Sequence, residues 1–169
     1  MYDIILETER LQLRYQRNED YGFIIKLWTN EKITKYVGGP RNKNILTESI
    51  KNTALDPKKE KYDLWYIILK NSDELIGMAG LLSKEINNEQ LYEINYYLEE
   101  KQWNKGFAAE IAKGIIEHFR KKEGIKVFIA IIDKENLASI KVAEKIGMKY
   151  WKTEIRKSGE KAIYKIEFL

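Results

Sequence analysis

The run from Ile125 to Ile132 constrains the fold more than any other segment. It is apolar except at Lys126, and Gly124 and Asp133 bound it. A short apolar run between such breaks is typical of a strand that is buried on both faces. Because a strand of this kind needs a covering layer on each side, the run predicts an interior strand of a sheet with helices on both faces.

The rest of the chain supplies these layers. Apolar residues recur at helical spacing in four segments, which are 23–28, 47–55, 108–119 and 136–146. Strand patterns cover residues 9–15, 62–70, 75–83, 90–99, 125–132, 148–156 and 161–169. The order is β-α-α-β-β-β-α-β-α-β-β, which predicts an α/β (α+β) fold with a mixed, mostly antiparallel sheet of about seven strands. A chain of 169 residues suits a single domain, residues 1–169.

Composition excludes several classes of function. The chain has no cysteine, which rules out disulfides, thiolate metal sites and a cysteine nucleophile. No Asp, Glu or His cluster has metal-ligand spacing, so no metal is expected. The net charge is +4, but basic residues are spread along the chain, so a nucleic-acid partner is not expected. No signal peptide and no apolar run of roughly 20 residues is present, which predicts a cytoplasmic protein without a membrane partner.

The segment from Tyr96 to Glu110 carries the chemistry. A strand ends there, a short loop follows, and a helix begins at Gly106. The unpaired N–H groups and positive dipole end of a helix start bind anions, and Gly106 and Ala108 leave room for a phosphate. Lys105 adds a positive charge. These features predict a phosphate-bearing ligand. The alternative is that Gly106 is a plain turn residue before a core helix. Neither a G-x-G-x-x-G pattern nor a Walker loop is present.

The loop from Trp103 to Ala108 resembles the pyrophosphate-binding loop of the GNAT acetyltransferases. More narrowly it resembles the RimJ/RimL-like branch, whose loop typically has the sequence W-G-K-G-Y-A. Three further stretches resemble that branch in the right order: Glu7 to Arg14, Glu93 to Leu98, and Asn136 to Met148. The resemblance covers essentially the whole chain.

The resemblance implies an N-acetyltransferase that uses acetyl-CoA as co-substrate. In such enzymes the strand equivalent to 90–99 splays from the strand equivalent to 125–132, and the pantetheine arm lies in the gap. The amine attacks the thioester directly, which agrees with the missing cysteine. The residues expected to bind the cofactor are Tyr96, Tyr97, Leu98, Trp103, Asn104, Lys105, Gly106, Phe107, Ala108, Ala109, Asn136, Ser139 and Lys145.

Catalytic roles are assigned to Glu93 and Ser139. Glu93 is the candidate general base, and the alternatives are that it orients the amine or has no role. Many relatives carry a tyrosine general acid where this chain has Ala143, so Ser139 or a water is expected to replace it. Asn136 is expected to contact the cofactor, to cap the last helix, or both. His118, the only histidine, is expected to be structural or exposed.

The acceptor is an amine of undetermined identity. Trp28, Tyr36 and Glu93 are expected to form its binding site. The RimJ/RimL resemblance points to the N-terminal amine of a protein, such as a ribosomal protein, while polyamine and antibiotic amines stay open. The missing tyrosine at Ala143 also keeps open a non-catalytic acyl-CoA sensor on the same fold. The resemblance allows a homodimer.

Overall fold

The computed structural model describes residues 4–55, 58–86 and 88–169. The strands are β1 (Ile4–Glu7), β2 (Leu11–Arg14), β3 (Leu64–Leu69), β4 (Glu74–Ile86), β5 (Glu89–Leu98), β6 (Val127–Asp133), β7 (Lys149–Arg156) and β8 (Gly159–Glu167). The helices are α1 (Tyr21–Thr29), α2 (Glu31–Thr34), α3 (Lys43–Leu55), α4 (Phe107–Glu123) and α5 (Leu137–Lys145). Turn-forming residues in the sequence predict breaks at Asp56-Pro57 and at Asn87-Asn88, and Asp56, Pro57 and Asn87 lie outside the described residues.

The described residues form one mixed sheet, which confirms the predicted fold class. Its eight strands have the order β1-β2-β3-β4-β5-β6-β8-β7. Neighbouring strands are antiparallel except β5 and β6, which are parallel. The strand beyond the predicted seven arises at the N-terminus, where β1 and β2 form a hairpin around Thr8 to Arg10. Helix α2 has no counterpart among the predicted elements, because its single turn is too short to show a period.

Helices cover both faces of the sheet. On one face α4 buries Ile111, Ala112 and Ile115 completely, and the core there continues into α5. This i, i+1, i+4 spacing is the apolar stripe that the sequence showed. On the other face a second apolar cluster joins α1 and α3 to the sheet through Ile24 and Ile50. The sheet is therefore the middle of three layers.

β5 and β6 separate soon after they meet. They pair only at Tyr92↔Phe128 and Glu93↔Ile129. On its other side β5 pairs with β4 along its whole length. The remainder of β5 therefore has one paired edge and one edge without a strand partner among the described residues. The splay that the family resemblance implied is present.

Two glycines of β4 allow unusually close strand packing. A Cβ atom added to Gly77 would lie 2.2 Å from the carbonyl oxygen of Tyr97 in β5, so β5 presses on β4 where it diverges from β6. A Cβ added to Gly80 would lie 1.8 Å from the carbonyl oxygen of Asp63. Glycines inside a strand pattern predict a bulge or a close backbone approach. Both glycines show the close approach, and the register of β3 against β4 also shifts between Ile67 and Ile68, beside Gly77.

Replacing Gly80 by alanine should destabilise the sheet, because the new methyl group overlaps a backbone oxygen that a side-chain rotation cannot move. We expect Gly80→Ala to lower the free energy of unfolding by about 1–3 kcal/mol in urea denaturation. The control is Gly22→Ala in α1, where nothing lies within 4 Å of the added atom. It should leave stability unchanged or raise it by up to about 1 kcal/mol. Equal effects of the two substitutions would contradict the close approach.

Candidate active site

The separation of β5 and β6 opens a groove of about 550 Å³ through the sheet. Successive residues of β5 face opposite sides of the sheet, and both sides contribute to its lining. Tyr96 packs in the core on the α4–α5 side. Tyr97 packs against Trp28 of α1 on the other side, with 4.7 Å between the ring centroids. The groove therefore has two mouths, one beside α4 and α5 and one beside α1 and α2.

The α4 mouth is formed by the loop that precedes the helix. Asn104 and Gly106 have left-handed backbones, with φ of 59° and 84°. Glycine adopts this conformation freely and asparagine more readily than most residues. The first helical bond runs from the N–H of Glu110 to the carbonyl of Gly106. The amides of residues 107–109 precede it, so a helix start with free donors lies on the groove wall.

Most of the predicted cofactor residues line this groove. They are Tyr96, Tyr97, Leu98, Trp103, Asn104, Gly106, Phe107, Ala108, Ala109, Asn136, Ser139 and Lys145. Lys105 is not among the lining residues, because its ammonium donates a hydrogen bond to Gln102 Oε1 at 3.0 Å. The indole N–H of Trp103 bonds the carbonyl of Leu98 at 2.8 Å and closes the loop onto β5.

The first turn of α5 forms the wall opposite the loop. Asn136 Oδ1 accepts a hydrogen bond from the amide of Ser139 at 3.2 Å, so Asn136 caps the helix as one of its two expected roles. The hydroxyl of Tyr96 donates to the carbonyl of Ser139 at 3.2 Å, and burial raises the pKa of Tyr96 to about 12. Ala143 is only 1% exposed and belongs to the core. Tyr96 therefore places a neutral phenol beside Ser139.

Glu93 lies at the closed end of the groove. It belongs to the last residue pair that joins β5 to β6, is 8% exposed, and is not itself a lining residue. Burial raises the pKa of its carboxyl group, and the Lys84 ammonium, 3.5 Å away, offsets part of that rise. Asn95 and Tyr97 follow on the same face of β5, and the Tyr97 hydroxyl donates to Asn95 Oδ1 at 3.1 Å.

The α2 mouth is mostly apolar and aromatic. Tyr36 lines it as expected. Trp28 is not a lining residue, but its ring packs against the ring of Tyr97, which does line the groove. Asp133 at the end of β6 is the one carboxylate among the lining residues in the described part of the chain. Its oxygen accepts a bond from Lys161 Nζ at 2.6 Å, which lowers the pKa of Asp133.

Arg10 contacts the loop, and this contact was not predicted from the sequence. Arg10 lies in the β1–β2 turn, and its guanidinium donates to the carbonyl of Lys105 at 3.1 Å and to Glu110 at 2.7 Å. Arg10 belongs to a stretch that carried the family resemblance, but nothing in the local pattern shows that it reaches a loop so distant along the chain.

Comparison with known proteins shows the family. The sequence profile of the acetyltransferase (GNAT) domain matches residues 10–149. The uncharacterized protein YkkB of Bacillus subtilis (strain 168) is 32% identical over 153 residues, which cover 90% of this chain and 88% of that protein. The uncharacterized N-acetyltransferase YnaD of the same organism is 27% identical, with 85% of this chain and 82% of that protein covered. The chain belongs to the GNAT acetyltransferase family.

Solved structures share the fold. RimL, a ribosomal L7/L12 alpha-N-protein acetyltransferase, superposes with a TM-score of 0.79 at 18% identity, covering 99% of this chain and 96% of that one. AAC(6')-Ib in complex with ribostamycin and coenzyme A gives a TM-score of 0.77 at 16% identity, covering 94% of each chain. At these identities the likeness shows the fold alone.

Neither a cluster of metal ligands nor a membrane-spanning helix occurs among the described residues. No group of three or more His, Cys, Asp or Glu side chains is placed to hold a metal ion. Within the same residues, no helix combines the length and the apolar character needed to cross a membrane.

The position of Glu93 predicts a measurable pKa. Because burial disfavours the charged carboxylate, NMR titration should give Glu93 a pKa above its ordinary value of 4.5. Lys84→Met removes the neighbouring cation and should raise the pKa further. Lys134→Met, which removes an exposed lysine paired with Glu160 beyond the end of β6, should leave it unchanged. A Glu93 pKa that falls in Lys84→Met would contradict the described environment.

Proposed function

We propose that the protein transfers an acetyl group from acetyl-CoA to a primary amine in the cytoplasm, by direct attack within one complex. The observation that carries this proposal is the groove between β5 and β6, which joins the start of α4 to the α2 mouth. The groove therefore connects a helix start that suits a phosphate with a second opening that suits an acceptor. Only a single layer of sheet separates the two.

The diphosphate is assigned to the amides of residues 104–109. Backbone N–H groups at a helix start bind phosphate without a dedicated side chain, and the helix dipole adds favourable potential. Gly106 lets the phosphate approach the backbone closely. The cap at Asn136, together with Ser139 and Lys145, completes the far wall of this mouth.

The edge of β5 that faces β6 would hold the pantetheine arm. From Ile94 to Leu98 this edge offers N–H and C=O groups to an extended ligand, as a sheet edge does to an added strand. Acetyl-CoA supplies the activated acyl thioester. An N–H in the same stretch would donate to the acyl oxygen, which makes the carbonyl carbon more electrophilic.

Two side chains are assigned to proton transfer: Glu93 at the closed end of the groove and Ser139 in the first turn of α5. The raised pKa of Glu93 suits a carboxylate that accepts a proton from the attacking amine, through water because Glu93 does not line the groove. The Ser139 hydroxyl would donate a proton toward the leaving thiolate. Because Ala143 carries no hydroxyl, this role is assigned to Ser139, which lies in the helix turn that Asn136 caps.

For the acceptor we propose a molecule with a single amine, such as the N-terminus of a protein, as in the RimJ/RimL-like branch. The supporting observation is the charge of the α2 mouth. Its carboxylate, Asp133, is neutralised by Lys161, and Glu93 is paired with Lys84. A polycation such as an aminoglycoside or a polyamine gains most from carboxylates without partners, and among the lining residues described here none is offered.

The assay that tests this function follows the release of free thiol from acetyl-CoA. Short peptides with free N-termini should release thiol with kcat/KM at least about tenfold higher than kanamycin or spermidine, since each carboxylate in the mouth already has a partner. N-terminally blocked peptides are the control. Faster reaction with the polycations would contradict the acceptor assignment. Stabilisation by CoA without thiol release on any amine would instead identify an acyl-CoA sensor.

The phosphate assignment is tested with Gly106→Trp. The indole should block the helix start and raise the dissociation constant for CoA at least tenfold, or about 1.4 kcal/mol. The matched control is Gly124→Trp at the other end of α4, where the backbone is also left-handed, with φ of 67°. The control should suffer similar strain and keep its CoA affinity. Unchanged affinity in a folded Gly106→Trp variant would refute the placement.

A further inference from the structure

We propose that Arg10 is a positioning residue for the phosphate-binding loop. It holds the loop and the first turn of α4 in place from the β1–β2 turn. This inference rests on the proposed function, because it assigns Arg10 to the same phosphate site.

A single side chain connects the two parts of the loop. The Arg10 guanidinium donates from Nη1 to the carbonyl of Lys105 at 3.1 Å and from Nε to Glu110 Oε2 at 2.7 Å. It also lies over the ring of Phe107, 4.5 Å from the centroid. A Cβ added to Gly106 would be 3.4 Å from Nη2. Arg10 therefore contacts the residues on both sides of the left-handed turn at Gly106, whose shape directs the amides.

The contact between Arg10 and Glu110 also affects the charge near the phosphate site. The Glu110 carboxylate belongs to the first turn of α4, on the residue that directly follows the amides assigned to the diphosphate. Burial favours its neutral form, but bonds from Thr8 Oγ1 at 2.6 Å and from the amide and side chain of Arg10 outweigh burial and lower its pKa. Glu110 is therefore an anion beside an anion site. The Arg10 charge neutralises it, which removes a repulsion that the diphosphate would otherwise meet.

The surroundings of the pair separate binding from folding. The Arg10 side chain is 45% exposed and Glu110 is 16% exposed, and Glu110 keeps its bonds from Thr8 and from the Arg10 amide when the guanidinium is removed, so this removal should cost little global stability. Loss of Arg10 should therefore appear mainly in the affinity for a phosphate-bearing ligand. Two effects of the Arg10 side chain contribute to this affinity: it maintains the shape of the loop, and it neutralises the charge of Glu110.

The experiment measures dissociation constants for CoA and for S-acetylpantetheine, which lacks the diphosphate. Arg10→Met should weaken CoA binding about tenfold and leave S-acetylpantetheine binding nearly unchanged. Arg10→Lys keeps the charge and should lose less. Adding Glu110→Gln to Arg10→Met should recover part of the CoA affinity, because the uncompensated anion is removed.

Lys70→Met is the matched control. Lys70 directly follows β3, and its ammonium donates to the carbonyl of Thr8 in the β1–β2 turn at 3.0 Å. The substitution removes another cation that contacts this turn and should leave CoA affinity unchanged. Equal weakening of both ligands by Arg10→Met, or unchanged CoA affinity, would overturn the inference while the proposed function stands. A wild-type protein that does not bind CoA would overturn both.

Discussion

The separation of β5 from β6 is the constraint on which the account depends. A sheet gains stability by pairing every interior edge, and here two interior strands give up that pairing after Glu93↔Ile129. Beyond Glu93 the edge of β5 borders the groove, and no strand of the described residues pairs with it there. Because Gly77 has no side chain, β5 packs closely on its remaining partner β4 where it diverges from β6. An extended ligand with amide groups would restore the missing pairing.

The second element is the charge arrangement around the groove. At the α4 mouth the helix start offers donors, and the acidic residue of its first turn is bonded by Arg10 and Thr8. At the α2 mouth the carboxylate that reaches the groove is bonded by Lys161. Neutralising the fixed anions favours a diphosphate on one side. On the other side it removes the advantage that a polycation would have over an acceptor with a single amine.

The sequence predicted the elements with long, regular patterns and missed those that depend on contacts between distant residues. The stripe of α4 needed only local periodicity, and the interior strand around Phe128 needed only an apolar run between two breaks. The single turn of α2 had no period to detect. The burial of Glu93 below the groove, the tie of Lys105 to Gln102 and the reach of Arg10 to Glu110 follow from how strands and loops meet in space, so no local pattern could give them.

A crystal structure of the protein with bound CoA would test the central claim most directly. The account predicts that the diphosphate oxygens lie within hydrogen-bond distance of amides in residues 104–109. It also predicts that the pantetheine arm lies between β5 and β6, with bonds to the edge from Ile94 to Leu98. Density for CoA at any other place, with β5 and β6 closed against each other beyond Glu93, would contradict it.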